Sequence, residues 1–224
     1  MIKRIFDIVT FPFYLTYQLI SFPFKIAKII IEDKNENKRN NKGNELGKIS
    51  QKELIEIGQL LFSDFYIEYE NLVNSYHKDK NKFISENKDL ISNYGNFKFE
   101  RLKPIELVYI FGDSKEKLWT TDWRGEENLR EIENFLVNKL QLKIEWKNVN
   151  EIGNGVNEQR QRDGEFMINF LKTIDKDLET LKKRLIFLDL SWDAYVYTVI
   201  DQASYETVTD KFGTLFHGTE NLRK

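Results

Sequence analysis

The sequence predicts an α+β fold: an antiparallel sheet of two hairpins with helices packed on one face, plus an N-terminal hydrophobic helical segment. Strand-like runs occur as two pairs, each divided by turn residues, and apolar stripes at helical spacing lie before, between and after them. With 17 Phe, 10 Tyr and 4 Trp, the chain has enough apolar volume for a core. We therefore divide it into a hydrophobic segment at 1–32, a polar linker at 33–49 and an α+β domain at 50–224.

The first segment has the pattern of a helix with a wide apolar face. Between positions 5 and 31 its charged residues are Asp7, Lys25 and Lys28, and most of its polar positions fall on about a third of a helix circumference. Such a face, with cations near its ends, is typical of a segment that lies in a membrane interface. We expect lipid contacts from Phe11, Phe13, Leu15, Leu19, Ile20, Phe22 and Phe24.

Two other placements of this segment remain open. A single membrane span needs about 20 apolar residues, and the uncharged run at 8–24 is slightly shorter and contains two prolines. A helix docked on its own domain or in an oligomer interface is the other alternative. The chain has no cysteine, which fits a reducing compartment. The expected location is the cytoplasmic face of a membrane, peripheral or monotopic, with single-pass spanning as the alternative.

The linker and the first helices follow from composition and capping. The linker is rich in Asn, Lys and Glu, so it cannot bury enough apolar surface to offset the entropy of ordering, and we expect it to be flexible. Ser50 and Glu53 then stand at capping-box spacing. An apolar stripe predicts one helix from there to about Tyr76, and a weaker helix is expected over 81–93.

The first predicted hairpin spans 105–123. Residues 105–111 form a β-rich run, residues 112–115 supply turn chemistry, and residues 118–123 form a second strand. The remaining expected elements are a helix at 126–141, a short strand at 142–146, a loop at 148–157, a helix at 159–183, strands at 185–190 and 194–200, and a final helix at 204–216.

Several function classes find no support in the sequence. The formal net charge is −2, and the basic run at 172–184 alternates with acids, so we expect a solvated helix face there and no binding of nucleic acid. There is no phosphate-binding glycine loop and no nucleophile elbow. We expect no cofactor and assign no catalytic residues and no metal ligands.

Two short stretches carry a family resemblance. One is Asp122-Trp123-Arg124-Gly125-Glu126-Glu127, an acidic, aromatic and basic step ahead of a charged helix. The other is Leu188-Asp189-Leu190-Ser191-Trp192-Asp193-Ala194-Tyr195, a late hairpin with an Asp at each side of its turn. In their order and separation, residues 107–213 resemble an uncharacterised bacterial family, domain of unknown function 6630. The resemblance implies no assigned activity. An immunity-like role is an analogy with other small bacterial α+β domains.

Acidic and aromatic residues at the predicted turns are the candidate contact residues. If the two hairpins pair side by side, their aspartates meet at one edge of the sheet, where they could hold a cation or supply an acid–base pair. Ordinary turn chemistry is the alternative explanation for these aspartates. Trp192, in a tight turn, is hard to bury. The candidate partner-binding set is Asp113, Asp122, Trp123, Arg124, Asp189, Trp192, Asp193 and Tyr195.

The sequence therefore favours a membrane-tethered, non-enzymatic protein-binding domain, with an immunity-like or defence-related role as its concrete form. The expected partners are an unidentified protein and, through residues 1–32, membrane lipid. One alternative is a carboxylate-based, metal-dependent enzyme or ligand-binding domain. The other alternative is a membrane-associated scaffold. The sequence leaves open whether the chain is an enzyme and favours a protein that is not one.

Overall fold

A computed structural model describes residues 48–92, 102–123, 130–141, 143–153 and 164–222. The predicted lipid-contacting segment at 1–32, the linker up to residue 47, and Arg124 lie outside these residues. Within the described part of the chain, no helix has the length and apolarity needed to cross a membrane.

The domain begins with two packed helices. Helix α1 (Gln51–Leu61) starts at Ser50, whose side chain forms the predicted capping box with Glu53. The predicted single helix is interrupted at Phe62, and after a 3-10 turn (Ser63–Phe65) the chain continues as α2 (Tyr66–Lys78). The interruption lets the two helices pack against each other. Helices α3 (Lys80–Glu86) and α4 (Lys88–Ser92) occupy the place of the predicted weaker helix.

The predicted strand at 105–111 is wrong, because these residues belong to helix α5 (Glu106–Ser114). Six consecutive residues of α5, 107–112, are buried, and a helix buried on all sides has no polar face to reveal its period. The carboxylate of Glu106 accepts the Lys103 backbone N–H at 2.6 Å, which ties the first residue of α5 to the segment before it. The second strand of the expected hairpin exists as β1 (Trp119–Asp122).

Three helices form the next layer: α6 (Glu131–Leu140), α7 (Lys147–Gly153) and α8 (Gly164–Glu179). The short strand expected at 142–146 is wrong over 143–146, which form no strand, and the expected loop begins as a helix. The carboxylate of Asp177 accepts the backbone N–H groups of Asn148 and Val149, both at 3.1 Å. These are the free donors of the first turn of α7. The cap of α7 therefore comes from α8, a helix distant in sequence, so no local sequence pattern predicts it.

Strands β2 (Lys183–Leu188) and β3 (Ala194–Asp201) form a hairpin, followed by α9 (Gln202–Phe212), β4 (Phe216–His217) and a 3-10 turn (Thr219–Asn221). The four strands lie in the order β1-β3-β2-β4, and every pair is antiparallel. The prediction of an α+β fold with an antiparallel sheet is confirmed. The prediction of two hairpins is wrong, since β1 pairs with β3.

The expectation that helices cover one face of the sheet is also wrong. Successive side chains of a strand point to opposite faces. Ile186, Leu188 and Val196 join a core with α1, α2, α5 and α9. Leu185, Phe187 and Tyr197 join a second core with α6, α7 and α8. The sheet is therefore the middle of three layers. The unbroken apolar run of β2 is typical of a strand buried on both faces.

Candidate functional site

The connection between β2 and β3 is a tight turn held by Asp189. The Asp189 carboxylate accepts the Ser191 backbone N–H at 2.9 Å, and Ser191 adopts a left-handed conformation with φ 60°. The Asp189 backbone N–H donates to the Leu215 carbonyl at 2.8 Å, which attaches the turn to the segment before β4. These bonds fix the turn from both sides, so Asp189 has a structural role there.

Trp192 lies at the tip of this turn, with 38 % of its surface exposed. Its indole meets the ring of Tyr109 edge to face, with the ring centroids 4.7 Å apart and the planes at 81°. Tyr109 itself is buried in α5. Trp192 therefore packs on a buried residue of α5 while part of its own surface faces solvent.

Tyr109 contacts Trp192 of the turn and also interacts with β1 and with Asp113. Burial raises the pKa of Tyr109, while a hydrogen bond with Thr120 of β1 acts in the opposite direction and the nearby charge of Asp113 raises it further. Asp113 lies in the last turns of α5, not in a hairpin turn as the sequence predicted. Asp113 is nevertheless close enough for its charge to act on Tyr109, the residue that contacts Trp192.

The strand register adds two more of the predicted residues at this end. Asp122 lies opposite Ala194, so the end of β1 stands beside Asp193 at the start of β3. Asp193 is exposed. Burial raises the pKa of Tyr195, and the nearby charge of Asp193 raises it further. Tyr195 packs edge to face on Phe187 in the second core.

Trp123 belongs to the other side of the sheet. A Cβ atom added to Gly164, the first residue of α8, would lie 2.8 Å from Cε3 of Trp123, so the indole rests directly on the start of that helix. The predicted set is thus divided by the sheet. Asp113 and Trp192 lie on the side of α5, whereas Trp123 and Tyr195 lie on the side of α8. Arg124 lies outside the described residues.

No three carboxylates or histidines of the described ranges come together in a group that could hold a metal ion. The strand register places Asp122 beside Asp193, Asp189 accepts a backbone N–H of its own turn, and Asp113 lies on α5. The geometry therefore presents these acids as parts of a surface.

The sequence analysis missed Tyr109, because the residues around it resembled a strand. Pro104 and Glu106 were the available signals, since proline and an acid are both common in a first helical turn. With the helix recognised, Tyr109 and Asp113 fall four positions apart on one side of α5. The support for Trp192 still depends on a contact between residues that lie more than eighty positions apart.

A buried polar cluster was also missed. Asp175 and Asp177 are each 2 % exposed, so the interpretation of 172–184 as an entirely solvated face is wrong for these two acids. The Asp175 carboxylate accepts from the Arg184 guanidinium at 2.9 Å, the Leu185 backbone N–H at 2.7 Å and the Thr219 hydroxyl at 2.9 Å. These contacts join α8, β2 and the C-terminal turn, which indicates a structural role.

Comparison with known proteins places this chain in a family. The family model described as "Domain of unknown function (DUF6630)" matches residues 53–222. No curated protein and no solved structure matches the chain. The match includes the stretch at 107–213 that carried the resemblance, and it extends to α1 and to the C-terminal turn. The chain belongs to the DUF6630 family.

Proposed function

We propose that this chain is a protein-binding domain that engages its partner at the turn end of the sheet. We call this region the Trp192 surface and define it by Tyr109, Asp113, Asp122, Trp192 and Asp193. The observation that carries the proposal is the arrangement of Trp192, which is 38 % exposed and braced edge-on by buried Tyr109. A braced aromatic loses little conformational entropy on binding, and tryptophan is common among residues that dominate interface energy.

The acids around Trp192 determine the kind of partner that fits. Asp193 is exposed next to Trp192 in the chain, Asp122 is half-exposed beside the start of β3, and half-exposed Asp113 acts on Tyr109 through its charge. A partner with a basic rim around an apolar pocket would complement this surface. Complementary charge would chiefly raise the association rate and exclude acidic proteins. An immunity-like role, in which the domain binds and blocks a basic effector, is the concrete form of the proposal.

The proposal includes attachment to the cytoplasmic face of a membrane through residues 1–32. Its support is the wide apolar face of that segment in the sequence. A polar linker then lets the domain search for a partner close to the membrane. Membrane attachment and partner binding are separable parts of the proposal, and each has its own test.

Photo-crosslinking in the native host tests the Trp192 surface. A photo-reactive residue replaces exposed Ser191, next to Trp192 in the turn, and in a control chain it replaces Ile67, which is 71 % exposed on α2. We expect a discrete protein adduct from position 191 that is absent from position 67. Trp192→Ala should weaken the complex by at least about 2 kcal/mol, close to 30-fold.

Charge reversal provides the second arm of this experiment. Asp193→Lys should slow formation of the adduct more at low salt than at high salt, because it reverses a charge at the rim. An adduct whose yield is the same in Trp192→Ala as in the unchanged protein would contradict the proposal.

A further inference from the structure

A second candidate site lies at the opposite end of β3, where that strand extends past β1. Strand β3 pairs with β2 as far as Asp201, but it pairs with β1 only over 194–197. Strand β1 begins only at Trp119, because the backbone N–H groups of Lys117 and Leu118 donate to the Gly112 carbonyl, at 2.6 and 3.2 Å. Among the described residues, the edge of β3 over 198–201 therefore has a partner strand on one side only.

The register shows which backbone groups face the open side. Gln202 lies opposite Lys182 in the β2–β3 alignment, and its N–H donates to the Lys182 carbonyl at 3.0 Å. Hydrogen-bonded and non-hydrogen-bonded pairs alternate along an antiparallel ladder. Residues 198 and 200 thus turn their backbone groups toward β2. Val199 and Asp201 turn their N–H and C=O groups away from β2, toward the open edge.

A groove of about 280 Å³ runs along this open edge. Its walls come from two different layers: Leu60 and Leu61 at the end of α1, and Phe135 and Leu136 of α6. The Ile200 side chain lies on the side of the first core and Val199 on the side of the second. The groove therefore offers a strand edge at its base and an apolar wall on each side of the sheet.

The rim of the groove carries charges of both signs. The Lys117 ammonium pairs with Asp64 at 3.1 Å, and Lys183 lies opposite Asp201 in the strand register. Because each cation has a nearby anion, the rim has no strong preference for a charged ligand. Its chemistry suits a neutral peptide backbone with apolar side chains.

We propose that the groove at Val199 binds an extended segment of a partner protein as an additional β-strand. The segment pairs with the N–H and C=O of Val199, and its alternate side chains enter the apolar walls on the two sides of the sheet. Main-chain pairing supplies affinity in this mode and alternate side-chain pockets supply specificity. The volume lies near the lower end of about 300 Å³ for ligand pockets, so the groove seats only a few residues. This site is independent of the Trp192 surface.

The probe is a phage library of short random peptides, selected on the full-length chain. We expect enriched peptides to share alternating apolar residues and to compete with one another. Leu60→Lys, which places a charge on one wall, should reduce their affinity at least about tenfold. Ile67→Lys, the same kind of change on exposed surface of α2, should leave the affinity unchanged.

Main-chain hydrogen bonds of the peptide distinguish strand addition from nonspecific apolar binding in the groove. N-methylation of the bound peptide at successive amides should weaken binding at alternate positions, since only every second amide faces β3. In the unchanged protein with labelled valine, the Val199 amide should exchange with solvent at least about tenfold more slowly once peptide binds.

Several results would overturn this inference. One is equal tolerance of N-methylation at every position of the peptide. Another is a Val199 amide that is already strongly protected in the free chain, which would show that the chain fills the groove itself. A dimer that Leu60→Lys dissolves would assign the groove to a second copy of the chain.

Discussion

Asp175 illustrates how a single buried charge holds distant parts of this chain together. Its carboxylate is 2 % exposed and accepts from Arg184, Leu185 and Thr219. The Arg184 guanidinium also lies over the Tyr205 ring, 4.2 Å from the centroid, and its hydrogen bonds to Asp175 raise its pKa. A buried carboxylate is tolerated only when its acceptor positions are filled in this way.

Asp175→Asn should destabilise the domain by about 3 kcal/mol, because it leaves the Arg184 cation without its buried partner. Denaturant unfolding followed by tryptophan fluorescence measures the change. Asp210→Asn, on the exposed surface of α9, serves as the matched control and should stay within about 0.5 kcal/mol of the parent. Equal stability of the two variants would show that the buried cluster contributes little.

Buried tyrosines should limit stability at alkaline pH. Burial raises the pKa of Tyr76 to about 12, and burial together with the charge of Glu220 raises that of Tyr205 to about 12. The neutral phenol is thus favoured in the folded state. The resulting stability is fully present below the unfolded pKa of about 10 and is lost as pH rises from there toward 12.

The measurement is the free energy of unfolding between about pH 9 and 11.5, with tyrosinate absorbance recorded in parallel. Tyr76→Phe should lower stability at neutral pH by about 1 kcal/mol, since the Tyr76 hydroxyl donates to the Leu102 carbonyl at 2.8 Å. The same variant should lose stability less steeply above pH 10. A slope identical to that of the parent would contradict the assignment.

At the scale of elements, helix ends and helix contacts decide where the secondary structure starts and stops. Helix α1 has a complete local capping box, which the sequence displays in full. Helix α7 takes its cap from Asp177 of α8, so its start is visible only in the folded chain. The first turn of helix α5 carries a helix signal in the sequence, but its uniformly buried residues show no helical period.

Ser50→Ala should cost about 1 kcal/mol at neutral pH, because the first turn of α1 loses its cap. The Glu53 carboxylate accepts from the Ser50 hydroxyl at 2.6 Å and from the Ser50 backbone N–H at 2.8 Å, and these bonds lower the pKa of Glu53 below 4.5. A depressed pKa gives stability that is present above the unfolded value and is lost as pH falls through the folded one.

The difference between Ser50→Ala and the parent should therefore narrow as pH falls below about 4.5. Denaturant titrations at neutral and acidic pH measure it. Lys52→Ala, one position from Glu53 on the exposed side of α1, should show no such narrowing. A pH-independent difference would mean that the hydrogen bond from the Ser50 hydroxyl to the Glu53 carboxylate contributes nothing.

Gly58→Ala tests the contact between α1 and α2. A Cβ at position 58 would overlap the ring of Tyr69, which is fully buried and packed against Phe62 and Phe111. The loss from overpacking, up to about 3 kcal/mol, should exceed the gain of about 1 kcal/mol in helix propensity. Gln59→Ala, at the exposed neighbouring position, should change the unfolding free energy by less than about 0.5 kcal/mol. A stabilised Gly58→Ala would show that Tyr69 can move aside.

At the scale of the whole molecule, the three layers explain why the two candidate surfaces lie at opposite ends of one strand. Strand β3 is central, and it is covered by a helical layer on each face. Its two faces are thus buried, and both proposed surfaces lie where the described residues leave β3 uncovered, at its turn near Trp192 and at its edge near Val199. A partner could occupy both surfaces without contacting the cores.

The membrane proposal also belongs to this scale. Full-length protein should sediment with membranes, resist a high-salt wash and be released by detergent, because its attachment depends on apolar area. Phe13→Asp with Phe22→Asp should move the protein into the supernatant. Ile67→Asp, which changes an exposed apolar residue of α2, should not. Unchanged full-length protein in the supernatant would remove the localisation from the proposal.

The sequence by itself determined the fold class, the family resemblance and the elements with local signals. The hairpin of β2 and β3, the cap at Ser50 and the turn at Trp192 all depend on residues within a few positions of one another, so patterns of period and turn chemistry report them. The predicted position of Trp192 at an exposed turn is matched by the structure.

Only the tertiary structure decided the pairing of β1, the second helical layer, the helix at 106–114 and the groove at Val199. Each depends on contacts between distant residues: Tyr109 beneath Trp192, Asp177 at the start of α7, and α1 and α6 on either side of β3. A linear pattern records how apolar a residue is but not what it packs against. That information arises only when the layers close around the sheet.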